Sequence, residues 1–183
     1  MNDMKVVSVV GMTGSGKSEV ARLFRERGFA TIRFGDITDE EVRKQGLKLN
    51  EENERQARES LRKKHGMDAY AKLSQPRIDT ALKQMNVVVD GLYSWEEYIF
   101  LKNNYGDRFY IVAVWSSPED RYARLGSRKI RPLTPQEAAD RDRAEIENLN
   151  KGGPIAMADF TVLNDSSLTE LEQQVERIID KLK

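Results

Sequence analysis

Eight consecutive residues, Gly11-Met12-Thr13-Gly14-Ser15-Gly16-Lys17-Ser18, spell G-x-x-x-x-G-K-S without a gap. These residue types suit a phosphate chain. Glycines let the backbone curl until successive N–H groups face one anion. Lys17 is spaced to reach the outer phosphates, and Ser18 to offer its hydroxyl to Mg²⁺. A helix starting here would add its positive end. The flanks agree with this reading. Lys5-Val6-Val7-Ser8-Val9-Val10 reads as a buried strand, and Val20, Leu23 and Phe24 follow at helical spacing.

Further candidates lie downstream. Val87-Val88-Val89-Asp90-Gly91 is an apolar run ending in a carboxylate. Beside a phosphate loop, such an acid can hold Mg²⁺ through water or contact the group that accepts phosphate. Asp36, in Phe34-Gly35-Asp36, falls at the carboxyl edge of a sheet. It could orient an acceptor hydroxyl, act as a base, or simply be a helix N-terminal acid. Arg121, Arg124, Arg128, Lys129, Arg131, Arg141 and Arg143 crowd one stretch, with Arg124 and Arg128 one helical turn apart. Guanidinium forks match the charge on a phosphoryl group in transfer. Arg43, Arg55, Arg58, Arg62 and Arg77 form a second set, one or two of which could anchor an acceptor phosphate. His65, the one histidine, lies at a charged helix end and suggests no metal ligand. Trp95, Tyr98 and Trp115 read as core, while Tyr93 or Trp95 could touch a base.

The elements that must position these residues alternate. Short apolar runs at 4–10, 30–34, 86–90, 109–115 and 160–163 read as strands covered on both faces. Helix starts are marked by Thr38-x-x-Glu41, Ser94-x-x-Glu97, Ser117-Pro118, Thr134-Pro135-Gln136-Glu137 and Ser167-x-x-Glu170. The spacing predicts a three-layer α/β/α fold around a five-stranded parallel sheet. Two connections exceed a plain crossover. Residues 36–84 read as a helical insertion. Residues 121–154 form an arginine-rich segment closed by a flexible Gly152-Gly153-Pro154 joint. Its helix from Pro135 has a weak apolar face, as though it rode over a site. The expected organisation is one domain over 1–183, with a core of 1–35, 85–120 and 155–183.

Composition narrows the function. Thirty Lys and Arg balance thirty Asp and Glu, so no global charge invites nucleic acid or an anionic membrane. Cysteine is absent, which excludes disulfides, thiolate metal sites and cysteine nucleophiles. No apolar run is long enough to span a bilayer, and no signal peptide is evident. A cytoplasmic protein is expected, as monomer or homodimer.

Taken together, the loop, the Asp90 strand and both long connections resemble the nucleoside-monophosphate kinases among phosphate-loop (P-loop) proteins, over nearly the whole chain. Arg124-x-x-x-Arg128, Arg141 and Ala158-Asp159-Phe160-Thr161-Val162-Leu163-Asn164 look like dephospho-coenzyme A kinases. Gly35-Asp36-Ile37, the strand 87–91 and Ile155-Ala156-Met157-Ala158-Asp159 look closest to the mostly archaeal adenylate-kinase-related proteins. The resemblance implies ATP and Mg²⁺ as cofactors and a small nucleotide-like acceptor. Segment 36–84 becomes the acceptor-binding part and 121–154 the lid. Gly14, Ser15, Gly16, Lys17 and Ser18 would hold the ATP phosphates and Mg²⁺, with Asp90 at the metal or acceptor. Arg124 would pack on adenine, Arg128 meet the phosphates, Arg141 close from the lid, Asn164 lie near the base and Asp36 face the acceptor. The chain departs from these relatives at Leu92-Tyr93-Ser94, where adenylate kinases carry Pro-Arg. It has Glu145 where dephospho-coenzyme A kinases carry glutamine. The adenylate-kinase-related proteins usually have an arginine near Asp39, where this chain has an acid, and Arg43 is a possible substitute anchor. Three activities stay open: a nucleoside-monophosphate kinase, a dephospho-coenzyme A kinase, and a nucleotide-binding switch or slow ATPase acting on a protein. A GTPase is disfavoured, because Asn150-Lys151-Gly152-Gly153 fails the N-K-x-D pattern.

Overall fold

A computed structural model describes residues 4–129 and 132–182. Arg131, counted above among the arginines, lies outside the described residues. The strands are β1 (Val6–Val10), β2 (Ala30–Arg33), β3 (Val87–Asp90), β4 (Phe109–Trp115) and β5 (Phe160–Leu163). They form one parallel sheet in the order β2-β3-β1-β4-β5. Every residue of β1 is buried. Its side chains alternate between two cores. Val7 and Val9 join Val20, Leu23 and Phe24 of α1 (Lys17–Glu26) and Leu171, Val175 and Ile178 of α9 (Leu168–Leu182). Val6 and Val10 join Tyr70 and Ile78 of α4 (Ala69–Ala81) and Leu101 of α5 (Trp95–Tyr105). A strand with helices on both faces has no solvent side, which is why its sequence is a continuous apolar run.

Capping residues set most helix starts. Ser94 and Glu97 form a complete capping box at α5, and Thr134 and Glu137 another at α7 (Pro135–Leu149). Ser117 caps α6 (Pro118–Gly126), and the Ser167 hydroxyl accepts the Glu170 N–H as α9 begins. Two expectations fail. Thr38 starts no helix, because α2 already runs over Gly35–Lys44. Its hydroxyl instead meets the Tyr70 hydroxyl at 2.7 Å, so a tertiary contact replaces the cap. Gly152-Gly153-Pro154 is no open joint either. It belongs to the short helix α8 (Gly152–Ala156), and Gly153 lies so close to Trp95 that an added Cβ would stand 2.6 Å from the ring. The glycine serves close packing there.

The two long connections are helical. Between β2 and β3 come α2, α3 (Glu51–His65) and α4. Between β4 and β5 come α6, α7 and α8. The Ser94 hydroxyl, besides capping α5, donates to the Met67 carbonyl at 2.9 Å and so fixes the turn before α4 to the start of α5. Among the described residues no helix is long and apolar enough to cross a membrane. A shallow groove lined by Ala30, Pro76, Arg77 and Met85 opens at the amino end of β2, the edge opposite the phosphate loop.

Ser94→Ala removes a helix cap and a buried bond at once. It is expected to lower unfolding free energy by about 1–2 kcal/mol, read from urea melts. An unchanged midpoint would contradict this account of the junction.

Candidate active site at the phosphate loop

The parallel register builds the site. Val9 of β1 pairs with Asp90 of β3, and Val10 with Ala113 of β4. The loop after β1 therefore emerges between two carboxyl strand ends whose connections run to opposite sides, the usual crevice of such sheets. Gly14 and Gly16 have φ of 86° and 97°. A Cβ on Gly16 would stand 2.1 Å from Asn164 Nδ2. The Asn164 amide donates to the Ser15 carbonyl at 2.8 Å. Arg124 Nη2 donates to the Asn164 carbonyl at 2.7 Å, and Arg124 Nη1 to the Ser116 hydroxyl at 3.0 Å. Arg124 and Asn164, expected near a base, thus meet beside the loop. No side chain caps α1 at Gly16, which leaves its first N–H groups to the loop. The Ser15 hydroxyl oxygen is buried without a hydrogen-bond partner.

Lys17, Ser18 and Asp90 come together. Lys17 Nζ donates to the carbonyls of Gly11 (2.9 Å) and Met12 (3.0 Å). Burial first, then the Lys151 ammonium, lower its pKa from 10.5 to about 7, against the opposing pull of Glu145 and Asp90. The Ser18 hydroxyl lies beside the Asp90 carboxylate and favours its charged form. Burial raises the Asp90 pKa, while Ser18 and Lys17 restrain the rise.

Two residues named in the sequence take roles it did not give them. Glu145 of α7 is buried against the loop. It accepts the Thr13 N–H at 3.2 Å and the Thr13 hydroxyl, and it pairs with the buried Lys151 at 2.8 Å. Burial pushes its carboxyl up, but Lys151 and Lys17 outweigh this and hold it well below the usual range. Arg121 is also buried. It makes a two-pronged pair with Asp142 (2.8 and 2.6 Å) and donates to the carbonyls of Thr13 (3.0 Å) and Ser116 (3.3 Å). A signal was present: Ala138, Asp142 and Glu145 recur at i, i+4, i+7. That stripe is the inward face of α7, and its polar members mark where the helix touches the loop rather than a core.

The remaining candidates are more dispersed. Arg141 Nε lies 3.8 Å from Glu145. Arg128 is exposed; desolvation first and the Arg141 guanidinium second lower its pKa. Asp36 sits in the first turn of α2, paired with Arg33 at 2.7 Å, and Arg33 also holds Asp39 at 2.9 Å. In the second arginine set, Arg77 pairs with Glu40 and Arg58 with Glu51. Arg62 differs. Its guanidinium lies 5.2 Å from the Tyr70 ring centre, and its Nε is buried without a hydrogen-bond partner. Tyr70, Tyr93 and Phe34 form one aromatic cluster next to Asp90.

The residues fit a magnesium nucleotide. A cradle that side chains would fill, an orphaned Ser15 hydroxyl and a Ser18–Asp90 pair are what Mg²⁺ and phosphate oxygens need, since Mg²⁺ typically takes one or two protein oxygens besides phosphate and water. Among the described residues no larger His, Asp or Glu cluster could hold a metal.

Phosphate next to Lys17 favours its charged form, so a pKa near 7 must rise on binding. Above pH 7, ADP binding should take up protons, and affinity should fall as pH rises from 7 to 9. Calorimetry at pH 8 in buffers of different ionisation enthalpy measures the uptake. Zero uptake would contradict the placement of Lys17.

Comparison with known proteins agrees with this geometry. A family model described as an AAA domain matches residues 7–148. A UPF0200 protein of Thermococcus kodakarensis is 37% identical over 181 residues, covering 97% of each chain. Among solved structures, TT1252 from Thermus thermophilus has a TM-score of 0.67 at 19% identity, with 98% of both chains covered. A shikimate kinase from Bacteroides thetaiotaomicron has a TM-score of 0.63 at 16% identity and 98% coverage of both. These likenesses show the kinase-like P-loop fold. Through its matched domain and its relatives along the whole chain, the protein belongs to the AAA-domain P-loop family and, within it, to the UPF0200 proteins.

Proposed function

We propose that the chain is a kinase that transfers the γ-phosphoryl group of ATP·Mg²⁺ to a small nucleotide-like acceptor. The observation that carries this is the phosphate loop itself, with Lys17 bonded to its Gly11 and Met12 carbonyls and Asp90 brought beside it by register with Val9. ATP·Mg²⁺ supplies the phosphoryl group and a cation that screens its charge. Ser18 and Asp90 hold the metal. Lys17 and the N–H groups of residues 14–18 bind the phosphates. Arg124 and Asn164 border the base side, and Arg128 and Arg141 stand on the lid, residues 121–154. The acceptor would enter between segment 36–84 and β3, above the cluster of buried Tyr70 and Phe34 and partly buried Tyr93. Arg62 is the arginine we assign to its phosphate, and Asp36 faces it from α2. Catalysis here is positioning and charge stabilisation, with closure of residues 121–154 excluding water.

A dephospho-coenzyme A acceptor keeps every one of these roles and gives Asp36 or Asp90 a ribose hydroxyl to orient. The fold likeness to a shikimate kinase adds small hydroxy acids to the candidates.

The test is ADP release from ATP·Mg²⁺ across AMP, CMP, dCMP, UMP, GMP, dTMP, dephospho-coenzyme A and shikimate, with an acceptor-free blank. One compound should stimulate release well above the blank. Lys17→Met and Asp90→Asn should each reduce the stimulated rate by about 10²-fold or more. Tight nucleotide binding with a flat response over the panel would overturn the kinase reading in favour of a nucleotide switch acting on a protein.

A further inference from the structure

Lys151 has no role in the reading above. Its side chain is 1% exposed. An unpaired lysine would not stay charged in such a place, and even a paired one needs a reason. The local backbone aims it inward. Asn150 ends α7 in the left-handed region (φ 50°, ψ 37°), and the Lys151 N–H closes back on the Glu145 carbonyl at 3.3 Å. Beyond it, Gly153 packs on Trp95 and Pro154 is buried. Lys151 is therefore held by the chain on both sides.

Its ammonium stands between the two halves of the site. On one side is the Glu145 carboxylate, which also accepts the Thr13 N–H. On the other, 5.5 Å away, is the ring of Tyr93, a member of the aromatic cluster beside Asp90. An ammonium has three donors. One serves Glu145, itself bonded to Thr13 of the loop, and the Tyr93 ring lies 5.5 Å from the head, so donor capacity remains beside the loop. Lys17 feels Lys151 as its strongest neighbouring charge, ahead of Glu145, Asp90 and Arg141. The two ammonium groups repel each other. The arrangement makes sense where an anion of high charge density comes to lie between them.

We propose that Lys151 is a second phosphate-facing cation, set at the mouth of the loop by Glu145, and that it reads the terminal phosphate of a bound nucleoside triphosphate. The inference rests on the reading of the loop as a nucleotide site and needs no acceptor. Lys17 neutralises the phosphates from the base of the loop. Lys151 meets the terminal one from the side of the aromatic cluster, where a transferred group would leave. Lys151 then favours a triphosphate over a diphosphate, whereas the loop N–H groups bind both. Glu145 has two effects here. It positions Lys151, and its own charge opposes the incoming phosphate.

The experiment is calorimetric titration of the full chain with ADP and with a non-hydrolysable ATP analogue, both with Mg²⁺. The wild-type chain tests the loop reading: binding of neither nucleotide would overturn that reading and this inference together. Where the wild type binds, the affinity ratio of analogue to ADP tests Lys151. Lys151→Met should lower that ratio by about 10- to 100-fold, as expected for loss of a charge-assisted hydrogen bond, while ADP affinity stays within about twofold. Because Lys151→Met leaves Glu145 buried without its partner, the double variant Glu145→Gln/Lys151→Met is measured beside it. It removes both charges, keeps the shape, and should show the same lowered ratio. Glu145→Gln alone should keep or raise the ratio, since the amide oxygen still accepts from Lys151 and the opposing charge is gone. An unchanged ratio in both Lys151 variants overturns the proposal. So does an equal loss for the analogue and ADP, or a Glu145→Gln variant that mimics Lys151→Met; each of these marks Lys151 as a structural counter-ion.

Discussion

The buried guanidinium of Arg121 joins the parts that must act together. One side chain binds the carboxylate of Asp142 on α7, the Thr13 carbonyl of the phosphate loop and the Ser116 carbonyl just after β4. A guanidinium supplies five donors in a fixed plane, so Arg121 makes these four bonds at once where an ammonium has three donors at most. The guanidinium is buried and the carboxylate partly so, and removing a partner would leave the buried guanidinium without its counter-charge, which is costly. The loop is therefore not a free ribbon on a strand end. Its outer turn is fastened to α7, and whatever moves α7 moves Thr13.

Around this fastening, two carboxylates are tuned in opposite directions. Asp90 has its pKa raised by burial, with a serine hydroxyl as its close partner. Glu145 has its pKa held down by the ammonium groups around it. Groups of one type with diverging environments tend to have separate tasks. Glu145 has its charge committed to Thr13 and Lys151, whereas Asp90 has a serine hydroxyl beside it and, among the described residues, no such ion pair.

Much of this was legible in the sequence. The strands were readable because each is a short β-branched run covered on both faces, and the G-x-x-x-x-G-K-S string carries its own geometry. Caps with a side chain donating or accepting locally, as at Ser94 and Thr134, were equally plain. Thr38 misled because its hydroxyl is used by Tyr70, a residue of another helix. Gly153 misled because glycine marks close approach as readily as freedom, and Gly152 because it opens a short helix. Arg121 was counted as one of a basic cluster, yet its charge is spent internally on Asp142. Glu145 and Lys151 were missed for a related reason. Charged residues on a helix read as solvated unless something apolar surrounds them, and here the surroundings are a loop 132 residues away in the chain.

That separation bears on how the molecule comes into being. The contacts that shape the phosphate loop reach across the chain: 108 residues from Arg121 to Thr13, 132 from Glu145 to Thr13, and 149 from Asn164 to Ser15. Contacts between distant residues pay their loop-closure entropy before they form, so they come late in folding. The motif is written within the first eighteen residues, but its cradle is completed only when β5 docks beside β4 and brings Asn164 under Ser15. A nascent chain of two-thirds length would carry the whole motif and no finished binding loop. The finished shape of the phosphate loop thereby depends on residues as far along the chain as Asn164.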